Sequence, residues 1–171
     1  MTPLDASGNV ITDTTVTYGS TIRPDFEWNC YQHSPIQLPN GDLMLFDNGT
    51  NRTLDPIDGN AVLNGAPGKY SRAVEYKIDM KNMTVQQIWQ YGKERDVECY
   101  SSIVSSVQFL PEKNHILFGP GYNVANDGGK GGKIVEVDYN TKQVVAEKSI
   151  NAANSFAFHR AKKINPYPDN F

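Results

Sequence analysis

Cysteine is scarce in this sequence, which limits the redox and metal chemistry that it can support. The two cysteines, Cys30 and Cys99, lie far apart, without a Cys-x-x-Cys pair or a histidine at ligand spacing. This arrangement argues against a zinc site and a thioredoxin-type centre. The two thiols either form one long-range disulfide or stay as small buried side chains, and the second is the expectation because free cysteine is usually buried.

Long apolar runs and clusters of positive charge are also missing. The net charge is −3, and Lys and Arg are scattered along the chain. Neither a membrane-spanning helix nor a nucleic-acid-binding surface is therefore predicted. The N-terminal residues lack a charged region followed by an apolar one, so the chain as given shows no export signal.

Signatures of bound cofactors are equally lacking. The glycine-rich run GPGYNVANDGGKGGK, residues 119–133, does not have the Walker spacing and is predicted to be a loop between two strands. No metal cluster and no flavin pattern accompanies it. We therefore expect that the protein uses neither a metal nor a cofactor.

What the sequence does contain is an internal repeat. Residues 33–49, HSPIQLPNGDLMLFDNG, align without a gap on residues 105–121, SSVQFLPEKNHILFGPG. In each copy a strand ends at Leu-Pro, a polar pair makes the turn, and an apolar strand returns to a glycine. The polar pair of the first copy, Asn40-Gly41, is a strong hairpin signal. A second hairpin with alternating apolar residues follows each copy.

Four short strands per unit, repeated, predict an all-β chain built from β-propeller blades. The length fits one domain. The predicted blade units are approximately residues 26–92 and 100–150, and residues 151–171 are expected to start a further blade. A propeller needs roughly four to eight blades. We therefore expect missing blades, an oligomer that completes the ring, or a truncated product, because bare sheet edges invite pairing.

The repeat singles out His33 as the candidate functional residue. A lone histidine beside a hairpin is ordinarily a packing or capping residue. In a propeller, however, the first strand of each blade lines the channel and begins at the funnel where ligands bind. His33 takes that place in its unit, and Ser105 takes it in the next, whereas His115 is expected to pack within a strand. A channel-facing imidazole can act as a nucleophile, a base or an anion donor.

Several runs together give the chain a resemblance to a known family. They are FEWNCYQHSPIQLPNGDLMLFDNGTNR, YSRAVEYKID, IWQYGKE and YSSIVSSVQFLPEKN. These runs resemble the C-terminal part of bacterial arylsulfate sulfotransferases, the type that does not use an activated nucleotide sulfate. The resemblance implies a six-bladed propeller with an extra N-terminal β domain, export to the periplasm, and homodimers. It also implies ping-pong transfer of a sulfuryl group from a phenolic sulfate ester to an acceptor phenol through a sulfohistidine.

The resemblance also implies roles for individual residues. The histidine before the LPNGDLM hairpin carries the sulfuryl group in the family, and that position is His33 here. A hydroxyl on the following blade faces this group, and Ser105 is the candidate by register, with Ser102 and Ser106 as alternatives. Arg52 is expected to buttress the loop after the hairpin through a salt bridge rather than contact substrate. Neither cysteine matches the family's short-range disulfide.

The resemblance further implies that part of the active site is missing. The additional histidines and the arginine that stabilise charge belong to earlier blades, so the chain alone is predicted to be inactive. Two alternatives stay open. The chain is either a noncatalytic module that holds a ligand or partner in the funnel, or a half-protein that assembles with copies of itself or with a separate N-terminal chain.

Overall fold

The structure, a computed structural model, describes residues 1–50, 52, 69–152 and 157–164. These residues are mostly in strands, which confirms the all-β prediction. The strands are β1 (Thr2–Leu4), β2 (Gln32–Gln37), β3 (Leu43–Asp47), β4 (Arg72–Asp79), β5 (Thr84–Tyr91), β6 (Ser106–Leu110), β7 (His115–Gly119), β8 (Val124–Asn126), β9 (Gly129–Asp138) and β10 (Val144–Ala152). A short helix, α1 (Thr14–Thr17), and a kinked 3₁₀ helix, Lys93–Cys99, complete the described elements.

The first sheet is an antiparallel meander of β2, β3, β4 and β5, with β1 added at its outer edge. β1 runs parallel to β5, and Thr2 lies opposite Thr84. Gly41 in the β2–β3 turn has a φ of 92°, which a residue without a Cβ adopts at little cost. The backbone N–H of Leu38 donates to the Asp42 carbonyl at 2.8 Å and closes this turn. The hairpin predicted from Asn40-Gly41 is confirmed.

The second sheet is an antiparallel meander of β6, β7, β9 and β10, and β8 also pairs with β9. The β6–β7 hairpin contains the second copy of the repeat, as predicted. The loop prediction for residues 119–133 is wrong in part, because β8 and the start of β9 lie within this run. Glycine makes this possible, since a Cβ at Gly131 would overlap the Ile150 carbonyl oxygen of β10. The glycine therefore permits a close approach of two strand backbones.

The two sheets pack against each other through pairs of aromatic side chains, and the two rings of the first pair occupy equivalent positions in the repeat. Phe46 of β3 stacks on Phe118 of β7 with ring centroids 5.1 Å apart, and both rings are fully buried. Trp89 of β5 stacks on Tyr139, just beyond β9, at 5.3 Å. The Trp89 indole N–H also donates to the Tyr139 carbonyl at 2.7 Å. Such offset ring pairs add about 0.5–1.5 kcal/mol beyond the area that they bury.

Residues 157–164 run beside β6, an edge strand of the second sheet. The Ala161 N–H donates to Ser106 Oγ at 3.0 Å, and the Lys163 N–H donates to Gln108 Oε1 at 2.8 Å. Most of the further blade predicted for residues 151–171 lies outside the described residues. In the described ranges no helix is long and apolar enough to cross a bilayer.

Candidate functional site

His33 lies near the beginning of β2, an edge strand of the first sheet. It pairs with Phe46 of β3, and the register then shifts between His33 and Ile36. The residues on both sides have left-handed backbone conformations, with φ of 61° at Tyr31 and 53° at Ser34. Irregularities of this kind re-aim a side chain and are frequent next to functional sites. The backbone around His33 therefore departs from regular strand geometry, in which successive side chains point to opposite faces of the sheet.

The His33 imidazole is partly buried and has two described side-chain neighbours. Its Nδ1 lies 2.7 Å from Oδ1 of Asn48, which follows β3. On the other side its ring centroid is 5.8 Å from that of Tyr31, a side chain that is 56% exposed. One ring nitrogen is thus held by an amide, while an exposed aromatic ring lies beside the imidazole.

Asn48 connects this histidine to the second sheet. It is fully buried, and its amide nitrogen donates to the carbonyl oxygens of Ser101 at 2.7 Å and Val104 at 3.0 Å. Both carbonyls belong to the segment that leads into β6. The site is therefore built at the boundary between the two sheets, from the end of one hairpin and the beginning of the next.

A buried cluster of ion pairs includes Asp47, the residue before Asn48. Asp47 and Arg72 are both fully buried, and Asp47 Oδ2 accepts from Arg72 Nε and from Arg52 Nη2, each at 2.9 Å. Arg52 Nη1 also donates to Glu27 Oε1 at 3.1 Å. Arg52 therefore braces the loop after the hairpin through ion pairs, as predicted.

The charges of this cluster keep a buried carboxylate ionised. Burial alone would raise the pKa of Glu27, but Arg72, Arg52 and Lys93 outweigh it and hold that pKa below its usual value. Removing one partner of such a buried pair is costly because it leaves an uncompensated charge. Asn48 therefore directly follows a buried carboxylate, Asp47, whose ion pairs are costly to break.

Ser105, the predicted substrate-binding residue, is buried with 1% of its surface exposed. Its hydroxyl accepts from the Gly121 N–H at 2.9 Å and lies 2.9 Å from Ser101 Oγ. Among the alternatives, Ser106 is also buried, and its hydroxyl accepts from the Ala161 N–H. The structure connects Ser105 to His33 indirectly, since Ser105 holds the segment whose carbonyls bind Asn48.

The other histidines lie elsewhere in the fold. His115 begins β7, as predicted, and its Nδ1 is 2.9 Å from Glu136 Oε1, whereas His159 is exposed. Within the described ranges, no group of three or more His, Cys, Asp or Glu side chains is arranged to hold a metal ion. Neither Cys30 nor Cys99 forms a disulfide, and burial raises the pKa of the Cys99 thiol to about 12.

A groove of about 370 Å³ runs along the edge strands β2 and β6 of the two sheets. Ser34, which follows His33, lines it on the β2 side, Gln108 lines it on the β6 side, and Arg160 and Lys162 also line it. The groove therefore brings two cationic side chains beside these edge strands, while His33 is not among its lining residues.

Asn48 and Tyr31 are the site residues that sequence reasoning missed. Asn48 reads in sequence as an ordinary turn residue before Gly49. The repeat itself contained a usable signal. The last residue of the second strand and the two residues after it are Asp-Asn-Gly in the first copy and Gly-Pro-Gly in the second. The first copy has the polar pair Asp47-Asn48 where the second copy has glycine and proline. This difference indicates a specialised role for the pair in the first copy.

Comparisons with known proteins agree with the resemblance seen in the sequence. The family model for arylsulfotransferase (ASST) matches residues 2–159. The chain is 37% identical over 167 residues to arylsulfate sulfotransferase AssT of Lelliottia amnigena, covering 96% of this chain and 27% of that protein. It is 39% identical over 147 residues to arylsulfate sulfotransferase AssT of Escherichia coli O6:H1 strain CFT073, covering 85% of this chain and 23% of that protein. The chain thus spans about a quarter of the length of the curated relatives that it matches.

Proposed function

The chain belongs to the arylsulfotransferase family, and from that premise we propose that it supplies the sulfuryl-accepting histidine of an arylsulfate sulfotransferase. In this proposal His33 takes a sulfuryl group from a phenolic sulfate ester and passes it to an acceptor phenol, in a ping-pong reaction. The observation that carries the proposal is the imidazole itself. It is partly exposed near the start of the edge strand β2, with one nitrogen held by Asn48.

Imidazole suits this chemistry. A neutral ring nitrogen attacks the sulfur and phenolate leaves, so that one difficult transfer becomes two easier ones through an N-sulfonated intermediate. The exposed ring of Tyr31 beside His33 offers an apolar face for the aryl part of the ester. Ser105 is kept as a proposed contact for the sulfuryl group, although its hydroxyl already binds the Gly121 N–H.

The proposed architecture of the whole protein is a six-bladed propeller located in the periplasm. Each of the two antiparallel meanders has the strand order of a propeller blade, and their inner strands β2 and β6 lie side by side along the groove. Two blades in about a quarter of the relatives' length leave room for further blades and an additional domain.

We also propose that the 171-residue chain does not complete the reaction alone. Charge developing on the sulfuryl and phenolate oxygens requires donors or cations close to the reacting atoms. By resemblance, most of these groups belong to the part of the relatives that this chain does not cover. The phenolic substrates are therefore expected to be used only when that part is present.

The test is a search for a sulfuryl group on His33. The chain, and a chimera in which a curated relative supplies the part that this chain does not cover, are incubated with 4-nitrophenyl sulfate and quenched. Peptide mass spectrometry then determines whether SO₃ has been added to the peptide that contains His33. We expect labelling in the chimera, little in the chain alone, and none in a chimera with His33→Ala.

The outcomes distinguish the alternatives. Labelling of the isolated chain would show that the chain, alone or as an oligomer, completes a working site and would overturn the inactivity proposal. No labelling of a folded chimera that still binds the ester would favour a noncatalytic binding module and overturn the transferase proposal.

A further inference from the structure

We infer that Asn48 is a positioning residue that holds the proton of the neutral His33 imidazole on Nδ1 and so leaves the lone pair on Nε2. The inference rests on the proposed function, in which His33 is the nucleophile. It identifies the residue that selects the attacking atom, and it assigns the second sheet a part in that selection.

The first step is the orientation of the Asn48 amide. A side-chain amide has two N–H donors on its nitrogen and an oxygen that only accepts. Both donors of Asn48 are used, one on the Ser101 carbonyl at 2.7 Å and one on the Val104 carbonyl at 3.0 Å. A flipped amide would place its oxygen against two carbonyl oxygens inside the protein. The amide oxygen must therefore be the atom that faces His33.

The second step is the tautomer of His33. Because Asn48 Oδ1 can only accept, the contact of 2.7 Å with Nδ1 requires that Nδ1 carries the hydrogen. A neutral imidazole has one N–H, so Nε2 is left with the lone pair. The hydrogen-bond partner of one ring nitrogen thus determines that the other nitrogen has the free lone pair.

The third step is what holds the two carbonyls in place. Ser101 Oγ accepts from the Tyr122 N–H and Ser105 Oγ accepts from the Gly121 N–H, each at 2.9 Å, and the two hydroxyls lie 2.9 Å apart. These bonds join the segment before β6 to the segment after β7. The hydroxyl of Ser105 therefore contributes to the position of His33 through the backbone and Asn48.

The chemical consequence follows from this tautomer. As the Nε2 lone pair forms the bond to sulfur, the bond from sulfur to the aryl oxygen breaks and phenolate leaves with its electron pair. The ring keeps the hydrogen on Nδ1 and becomes cationic, while the attached sulfonate is anionic. The Asn48 oxygen then accepts a hydrogen bond from a more acidic N–H, so it stabilises the intermediate more than the resting state.

The experiment measures the tautomer directly in the chain with ¹⁵N-labelled histidine. Multiple-bond ¹H–¹⁵N correlation spectra at a pH where the rings are neutral distinguish a protonated Nδ1 from a protonated Nε2. The His33 signals are assigned by their loss in His33→Ala, and the exposed His159 provides an unconstrained reference in the same spectrum. We expect His33 to carry its proton on Nδ1. A wild-type His33 with its proton on Nε2 would overturn the inference.

A variant links the tautomer to the reaction. Asn48→Ala is expected to move the His33 proton towards the mixture of tautomers shown by His159, and to slow labelling by 4-nitrophenyl sulfate about 10- to 100-fold, as loss of an orienting partner commonly does. The matched control is Asn40→Ala, which removes another asparagine amide, in the exposed turn of the same hairpin.

The outcomes separate this inference from the proposed function. If the chimera is labelled and Asn48→Ala changes neither the tautomer nor the labelling rate, the inference is wrong and the transferase proposal stands. If the folded chimera is not labelled at all, the transferase proposal fails, while the wild-type tautomer still decides whether Asn48 orients the ring. Should Asn48→Ala not fold, the wild-type spectrum alone decides the question.

Discussion

The two copies of the repeat share one hairpin and differ at the last residue of its second strand and at the residue after it. The first copy has Asp-Asn-Gly at residues 47–49, and the second has Gly-Pro-Gly at residues 119–121. In the first copy the two polar side chains bind an arginine pair and His33. The second copy has Gly119 and Pro120 at these two positions, so it offers no polar side chain there. The glycine that follows is shared, because a Cβ at Gly49 would overlap the Tyr70 carbonyl oxygen just as one at Gly121 would overlap that of Phe158. The same hairpin thus ends in a polar site in one copy and without polar side chains in the other, according to two residues.

The first residues of the two copies show the same contrast. His33 and Ser105 occupy equivalent positions in the alignment, yet the imidazole is partly exposed and the serine is 1% exposed. His33 has a partner on one nitrogen, whereas the hydroxyl of Ser105 is engaged by backbone and by Ser101. Chemistry is therefore expected at the first copy, and structural support is expected from the second.

The largest effect is expected where the ionic cluster of the first copy is broken. Asp47→Ala leaves the fully buried Arg72 without one of its two carboxylate partners. The free energy of unfolding, measured by urea titration, should fall by about 3–5 kcal/mol, because a buried charge is left uncompensated. The matched change in the second copy, Gly119→Ala, adds a methyl group 3.3 Å from Ser106 Oγ and should cost about 1 kcal/mol. Equal losses for the two variants would contradict the contrast between the copies.

A smaller effect is expected from substitutions of His33 and Ser105, and the two variants should differ in which measurement changes. Ser105→Ala leaves the buried Gly121 N–H without its acceptor and should lower the free energy of unfolding by about 1–3 kcal/mol. His33→Ala should cost about 1 kcal/mol but abolish labelling by 4-nitrophenyl sulfate in the chimera. If Ser105→Ala instead leaves stability intact and blocks labelling, Ser105 contacts the sulfuryl group and its main role is not structural support.

The smallest effect is expected from a half-exposed ion pair beside the second sheet. Hydrogen bonds from Arg95 and Lys133 lower the pKa of Glu98 from 4.5 to about 2. Because the folded pKa is depressed, this contribution to stability is complete above pH 4.5 and is lost as the pH falls towards 2. Glu98→Gln should therefore be slightly less stable than wild type at pH 7, and the difference should vanish as the pH approaches 2.

The buried Glu27 of the first sheet provides the comparison for that titration. Its pKa is also depressed, by arginines that solvent does not screen. Urea midpoints measured for Glu27→Gln at the same pH values should show a larger difference from wild type at neutral pH than those for Glu98→Gln. A larger effect for Glu98 would mean that burial does not govern the strength of these pairs.

Much of the fold could be predicted because it depends on short-range patterns. Turn residues such as Asn40-Gly41 and the apolar strand around Phe46 have signals within a few residues, and the repeat places the second hairpin by analogy. The position of His33 near the start of a strand followed from the same reasoning. These features are set by the local chain, so one sequence was enough to find them.

The rest depends on neighbours that are distant in sequence. β1 has three residues, too few to show any periodicity, and it forms because it can pair with β5. Asn48 acquires its role from carbonyls more than fifty positions later, which no spacing within the hairpin reveals. The prediction for Ser105 used the register of the repeat, but register does not determine whether a side chain faces solvent or the interior.

The pairing of β1 with β5 has a consequence for how the chain folds. Each hairpin joins strands that are close in sequence, whereas Thr2 must find Thr84 across the whole first sheet. Loop closure over that separation is entropically costly, and contacts between distant residues slow folding. We therefore expect the hairpins to form early and β1 to dock last. In native-state hydrogen exchange, the amides of Thr2–Leu4 should open with a lower free energy than those of β3 and β4, as a separate unit at the rim of the sheet.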